Sequence, residues 1–215
     1  MKYSDSIFIV ETNYPLNIDN CKIFRSNNLV LIFGDYDLII NEIHKYNIST
    51  YHHIDLSKNS IHPLISYKDQ KCRIEYGAVI RDNVILKENS VILMGAVVNM
   101  NALIGKNTMV DMNAVIGSGA QIGDNVHIGA GVVISGMMEP KSNKPVIVKN
   151  NTFIGANSVI LEGITIGNNV IIGAGSVVTK DIPDNVVAYG NPAKIKRLTK
   201  DNDINQIQME LRWLI

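Results

Sequence analysis

Residues 104–134 read IGKNTMVDMNAVIGSGAQIGDNVHIGAGVVI, with an aliphatic side chain at every sixth position: Ile104, Val110, Ile116, Ile122, Ile128 and Ile134. Three residues after the first five of these stand Asn107, Asn113, Gly119, Asn125 and Gly131. Glycine and asparagine enter the left-handed backbone region at least cost, so this slot predicts a tight turn in every repeat. The next residue (Thr108, Ala114, Ala120, Val126, Val132) is small or β-branched, as a strand beginning beside a crowded axis requires. A sustained six-residue period is the signature of a parallel β-helix.

The pattern extends outward in both directions. Before it come Ile74, Ile80, Leu86, Ile92 and Val98, with Gly77, Asn83, Asn89, Gly95 and Asn101 in the turn slot. Beyond an interruption come Val148, Ile154, Ile160, Ile166, Ile172 and Val178, with Asn151, Asn157, Gly163, Asn169, Gly175 and Asp181. Three repeats close one triangular coil of roughly 18 residues, and coils stack at roughly the 4.8 Å strand spacing. The chain therefore predicts nearly six coils with the aliphatic column inside. Residues 135–147 break the period with Pro140 and Pro145, which a continuous ladder does not accept. Val148 falls where a loop of about eight extra residues would place it, and repeat proteins tend to carry function on such insertions.

The flanks lack the period. Residues 1–70 read as a small α/β cap, with strands at Ser6–Glu11 and Asn28–Phe33 and a helix through about Tyr46 capped by Asp35 or Asp37. His44, His52, His53 and His62 are expected at the surface or in packing, not as ligands. Residues 71–198 form the β-helix domain. Residues 199–215 place Ile204, Ile207, Leu211 and Leu214 on one stripe of a short amphipathic helix, in which Trp213 packs.

Of 215 residues 46% are hydrophobic, so a sizeable core is available. Twenty basic residues balance twenty acidic ones, which argues against nucleic acid or an anionic membrane as partner. No long apolar run or basic-then-apolar leader is seen, so a cytoplasmic protein is expected. Cys21 and Cys72 lack metal-ligand spacing and read as free thiols. No Walker or dinucleotide glycine pattern appears, which removes support for nucleotide hydrolysis and hydride transfer. His127 is the only histidine within the repeats, too few for a zinc site built from them, and no metal is expected.

Several segments resemble the tetrahydrodipicolinate N-acetyltransferase family of hexapeptide-repeat acyltransferases. They include Arg73-Ile74-Glu75, Leu93-Met94-Gly95-Ala96-Val97-Val98-Asn99, Thr108-Met109-Val110-Asp111-Met112-Asn113-Ala114 and Asn125 through Gly131. Glu139-Pro140, Ser142 and Lys144-Pro145 in the loop continue the match, as do Ile154 through Asn157, Leu161-Glu162-Gly163 and Gly190-Asn191-Pro192-Ala193-Lys194. The Thr-Met-Val-Asp segment followed by Glu-Pro in the loop is the specific part. Closing segments of the Gly-x-Pro-Ala-Lys kind recur across such acyltransferases. The resemblance implies a left-handed β-helix, a homotrimer, and acetyl-coenzyme A as co-substrate bound between neighbouring prisms. It also implies acetyl transfer to the amine of ring-opened tetrahydrodipicolinate, 2-amino-6-oxopimelate, in lysine and diaminopimelate biosynthesis.

An amine attacking a thioester must lose a proton, so the site needs an acceptor and an oriented amine. Asp111 and Glu139 are the candidates, one holding the ammonium and the other taking the proton. His127 is the third. It precedes Ile128, which stacks on Val110, so His127 and Asp111 fall on one face about 8 Å apart between Cα atoms, within a subunit or facing the next. By position in the family, Gly155, Ala156, Gly173 and Ala174 would receive the pantetheine arm, and Lys180, Lys194 and Arg197 the phosphates. Gly117-Ser118-Gly119-Ala120 lacks an arginine common in the acetyl branch, Asn101 stands where glycine is usual, Lys141 replaces a proline and Tyr189 replaces a small residue. Arg81, Lys141 and Lys144 remain to meet a dicarboxylate. Two rivals follow: an N-acetyltransferase on another small amine, and a noncatalytic scaffold that binds no coenzyme.

Overall fold

Each six-residue repeat forms one two-residue strand followed by a turn, because the aliphatic residue points inward while the glycine or asparagine three positions later bends the chain. Every Gly and Asn of the turn slot from Gly77 to Gly175 has positive φ, for example Asn107 at 53° and Gly131 at 67°. Asp181 does not share that conformation. Its carboxylate instead accepts from Thr165 N, 2.8 Å, where the last coil closes by pairing Ile182 with Ile166. The computed structural model describes residues 5–55, 64–66, 70–137, 144–203 and 205. The chain divides into two compact units, residues 1–62 and 63–215.

In the second unit, strands one coil apart pair in parallel, Val110 between Ile92 and Ile128. This makes three faces. The first carries Arg73–Ile74, Val91–Ile92, Met109–Val110, His127–Ile128, Phe153–Ile154 and Ile171–Ile172, and ends on Val186–Tyr189 with Lys194–Leu198 antiparallel beside it. The second face runs from Val79–Ile80 to Val177–Val178, and the third from Ile85–Leu86 to Thr165–Ile166. The core is the predicted column, with Ile80, Ile92, Ile104, Ile116, Ile122, Ile128, Ile154, Ile160 and Ile172 fully buried.

One corner is tied by an asparagine ladder. Asn89, Asn107, Asn125, Asn151 and Asn169 each donate a side-chain amide N–H to the carbonyl oxygen of the next asparagine, ending on Asn185, at 2.8–3.3 Å. Across the interruption the offset is 26 residues instead of 18, so eight residues are extruded while register is kept. The loop leaves at the corner between the second and third faces, where Met137 N donates to Ser118 O.

In residues 1–62 four strands, β1 (Asp5–Glu11), β2 (Lys22–Ser26), β3 (Leu29–Asp35) and β4 (Tyr51–Asp55), form an antiparallel sheet ordered β2-β3-β1-β4. Helix α1 (Tyr36–Lys45) follows β3, and Asp35 caps it by accepting from Asp37 N and Leu38 N. Phe8, Val10, Val30, Ile32, Ile39 and Ile43 are the core. Two strands were missing from the sequence reading. β2 is an edge strand with mostly exposed residues, and β4 holds Tyr51-His52-His53, so neither shows an apolar run. His53 packs on Phe8 with ring centroids 4.7 Å apart.

Cys21 and Cys72 are free thiols. Asp201–Asp203 are helical, and the predicted stripe at Ile204, Ile207, Leu211 and Leu214, with Trp213, lies outside the described residues. No helix among the described residues is long and apolar enough to cross a membrane.

Candidate active site

Two residues of adjacent coils meet on the first face. Met109 pairs with His127, and Asp111, two residues further on, turns its carboxylate toward the imidazole. Asp111 Oδ2 lies 3.6 Å from His127 Nε2. Asp111 Oδ1 accepts from Met112 N at 2.6 Å, which fixes the carboxylate. His127 is only 9% exposed, and Phe153 in the coil above presents its ring edge-on, centroids 4.9 Å apart. The structure therefore brings Asp111 and His127 together within one subunit. A histidine next to a fixed carboxylate can take up a proton while the carboxylate stabilises the resulting imidazolium.

The prism edge at this pair changes character. Asp111 belongs to a column of residues that follow each first-face strand: Glu75, Leu93, Asp111, Gly129, Gly155, Gly173 and, by its pairing, Tyr189. The neighbouring column runs Tyr76, Met94, Met112, Ala130, Ala156, Ala174 and Gly190. Below the pair the second column is bulky, with Tyr76 at 101%, Met94 at 54% and Met112 at 43% exposure. Above it both columns shrink to glycine and alanine. The result is a shallow track that starts at Asp111–His127 and ends at Tyr189. Four coil steps of roughly 4.8 Å give it a length of about 19 Å.

The four predicted arm-binding residues, Gly155, Ala156, Gly173 and Ala174, all lie on this track. Gly129, Ala130 and Tyr189 complete it and were missed; the signal was the coil offset, which stacks them on the residues that were named. The glycines have a second reason to be small. A Cβ on Gly155 would meet Ala174 N at 2.4 Å, and one on Gly173 would meet Tyr189 Cβ at 2.7 Å. Stacking of the next coil thus already demands glycine there.

The predicted cations are more scattered. Lys180 and Lys194 are exposed near the upper end. Arg197 is held by Asp203 in a two-pronged pair, Nη1–Oδ2 2.7 Å and Nη2–Oδ1 3.2 Å. Hydrogen bonding from Arg197, joined by Lys200 N, pulls the Asp203 carboxyl down to about 2. A phosphate would have to compete with that carboxylate. Arg81 sits on the second face, bonded to Asn99 Oδ1 at 3.2 Å, and Lys144 is an exposed residue ahead of the third-face strand Ile147–Val148. One subunit does not gather these two beside Asp111. Glu139 and Lys141 lie outside the described residues.

A cleft of about 320 Å³ lies elsewhere, at the first coil, lined by Gln70, Lys71, Cys72, Arg73, Asn89, Ser90 and Val91. Burial pushes the Cys72 thiol up, which makes it a poor nucleophile. No group of three or more candidate metal ligands occurs among the described residues.

The bacterial transferase hexapeptide (six repeats) family matches residues 101–136 and 145–180. A 2,3,4,5-tetrahydropyridine-2,6-dicarboxylate N-acetyltransferase from Thermosipho melanesiensis is 58% identical over 87% of this chain and 84% of its own length. One of the same description from Listeria ivanovii is 50% identical over 94% and 86%. Among solved structures, a variant of perosamine N-acetyltransferase from Caulobacter crescentus, in complex with CoA and GDP-perosamine, is 32% identical with a TM-score of 0.54, over 59% of this chain and 56% of that one. The acetyltransferase domain of PglB from Neisseria gonorrhoeae, with acetyl coenzyme A, is 25% identical with a TM-score of 0.53, over 59% and 58%.

Proposed function

The chain belongs to the 2,3,4,5-tetrahydropyridine-2,6-dicarboxylate N-acetyltransferase family of hexapeptide-repeat proteins, and from that premise we propose that it transfers acetyl from acetyl-CoA to the amine of 2-amino-6-oxopimelate. The observation that carries the reading is the Asp111–His127 pair at the start of a shallow track. A thioester there has a proton acceptor beside it, and a thin linear arm has a path away from it.

The reaction needs three things of this chain. The amine must be held as its free base against the thioester carbonyl. The His127 imidazole takes its proton as the C–N bond forms, and Asp111 stabilises the imidazolium. The tetrahedral intermediate then collapses, the C–S bond breaks, and the thiol leaves with the proton returned to it. Glu139 remains the second candidate carboxylate, holding the ammonium or taking the proton.

We place the protein in a homotrimer. Asp111–His127 and the base of the loop lie at different corners of one prism. Side-by-side prisms give Arg81, Lys144 and the loop of a neighbour a route to the same site, where they would meet the two carboxylates of the acceptor.

The test is thiol release by the purified protein from acetyl-CoA and from succinyl-CoA, with and without tetrahydrodipicolinate. Release from acetyl-CoA that requires this substrate supports the reading. Coenzyme binding without such turnover moves the activity to another amine, and no coenzyme binding at all leaves a scaffold.

A further inference from the structure

The four-stranded sheet of residues 1–62 is apolar on both faces. On one, Phe8, Val10, Val30 and Ile32 pack with Ile39 and Ile43 of α1. An antiparallel sheet with one face on the core commonly alternates, its other positions polar and turned to water. Here those positions include Ile9 on β1, Leu29, Leu31 and Phe33 on β3, Phe24 on β2 and Ile54 on β4. Phe24 is 59%, Leu29 51% and Ile54 42% exposed. Phe24 meets Phe33 edge to face, ring centroids 6.0 Å apart.

The register gives this open face a layout. Lys22 pairs with Phe33 and Phe24 with Leu31; beyond β3, Leu31 pairs with Ile9 and Leu29 with Glu11. Lys22 and Glu11 therefore stand at opposite corners, and Leu31 lies midway, one strand and two residues from each. A twofold axis in the plane of the face, through Leu31 and perpendicular to that diagonal, carries each charge onto the other. Strands about 4.8 Å apart and about 6.7 Å per two residues then set Phe24 over the partner's Leu29, Phe33 near the partner's Ile9, and Ile54 over the partner's Ile54. The strands of the two sheets cross at about 70°, near the orthogonal class of sheet packing.

We propose that this face pairs with the same face of a second copy of the chain, and that the pairing joins two homotrimers into a hexamer. The number six rests on the homotrimer reading above. The face covers roughly 400 Å², about half of what one partner gives to a lasting complex, so a single contact is weak. Two trimers related by a twofold make three such contacts at once. Each contact is isologous, and Lys22 meets the partner's Glu11 twice in it.

The experiment measures the size of the full-length protein by analytical ultracentrifugation across a dilution series, with circular dichroism to confirm the fold of each variant. Six chains that fall to three on dilution are expected. Lys22→Glu sets like charges together at both ends of the diagonal and should raise the concentration needed for hexamers roughly tenfold or more. Adding Glu11→Lys restores opposite charges and should recover the hexamer. Phe24→Glu should leave trimers alone, with turnover per chain unchanged. Three chains at every concentration, hexamers indifferent to Lys22→Glu and Phe24→Glu, or no recovery in the double variant overturn the pairing and leave the homotrimer reading standing. Dimers that Lys22→Glu separates uphold the pairing and overturn the homotrimer.

Discussion

The lower and upper halves of one prism edge are built by the same repeat, yet they present different surfaces. In both halves a carbonyl of one coil accepts from the turn amide of the next, as in Asn113 N to Met94 O and Gly175 N to Ala156 O. In both halves the turn residue has positive φ, Gly95 at 74° and Asn157 at 57°. Only the side chains differ: Tyr76, Met94 and Met112 below, Ala130, Ala156 and Ala174 above. The backbone period is therefore silent about function, and the step in side-chain size at Asp111–His127 is what marks the proposed site. Because Met94 and Met112 occupy the alanine slot without disturbing the turn, the same slot above can be filled as a test.

The largest effect should come from the pair at the step. Asp111→Asn and His127→Asn are each expected to lower turnover by about 10²- to 10⁴-fold, as removal of a proton acceptor or its stabiliser does, with the oligomer intact by light scattering. Unchanged turnover in both would move the chemistry off the first face. Glu139→Gln is expected to cost ~10²-fold; comparison of its pH–rate profile with that of His127→Asn identifies the acceptor, since the variant lacking it loses the acidic limb.

A smaller effect is expected on the track. Ala174→Met should raise the KM for acetyl-CoA roughly tenfold or more by occupying space the arm needs, while Met112→Ala, just below the step, should leave it within about twofold. Equal effects from the two would erase the distinction between the halves. The smallest effect belongs to a corner away from the site. Asn125→Ala removes two rungs of the asparagine ladder and puts alanine at a φ of 54°, so it should cost about 2–3 kcal/mol of stability, read as a shift in the denaturant midpoint, with kcat unchanged.

The sequence carried the coils almost completely, because a six-residue period with glycine or asparagine at a fixed place admits few other readings. It also carried the size of the insertion, since register had to resume at Val148. It failed where the period ends. Asp181 fits the turn slot by residue type, but the chain there closes the last coil and the carboxylate caps Thr165 N. β2 and β4 were not legible because edge strands have no need of an apolar run. The meeting of Asp111 and His127 was legible through the coil offset, and their proposed role through the family match. The fate of Arg197 was not, because Asp203 lies in a segment with no period to place it. The track itself was half-legible: its glycines were named, but their stacking role and the bulky residues that end it required the columns to be seen side by side.

The central claim is that the donor lies along the upper half of this edge with its sulfur at Asp111–His127, and a crystal structure of the protein with CoA bound tests it most directly. The account predicts the thiol within hydrogen-bonding reach of the His127 imidazole, directly or through one water, and the arm running past Ala130, Ala156 and Ala174 to Tyr189. A coenzyme lying along Tyr76, Met94 and Met112, or with its sulfur on another face, would contradict it.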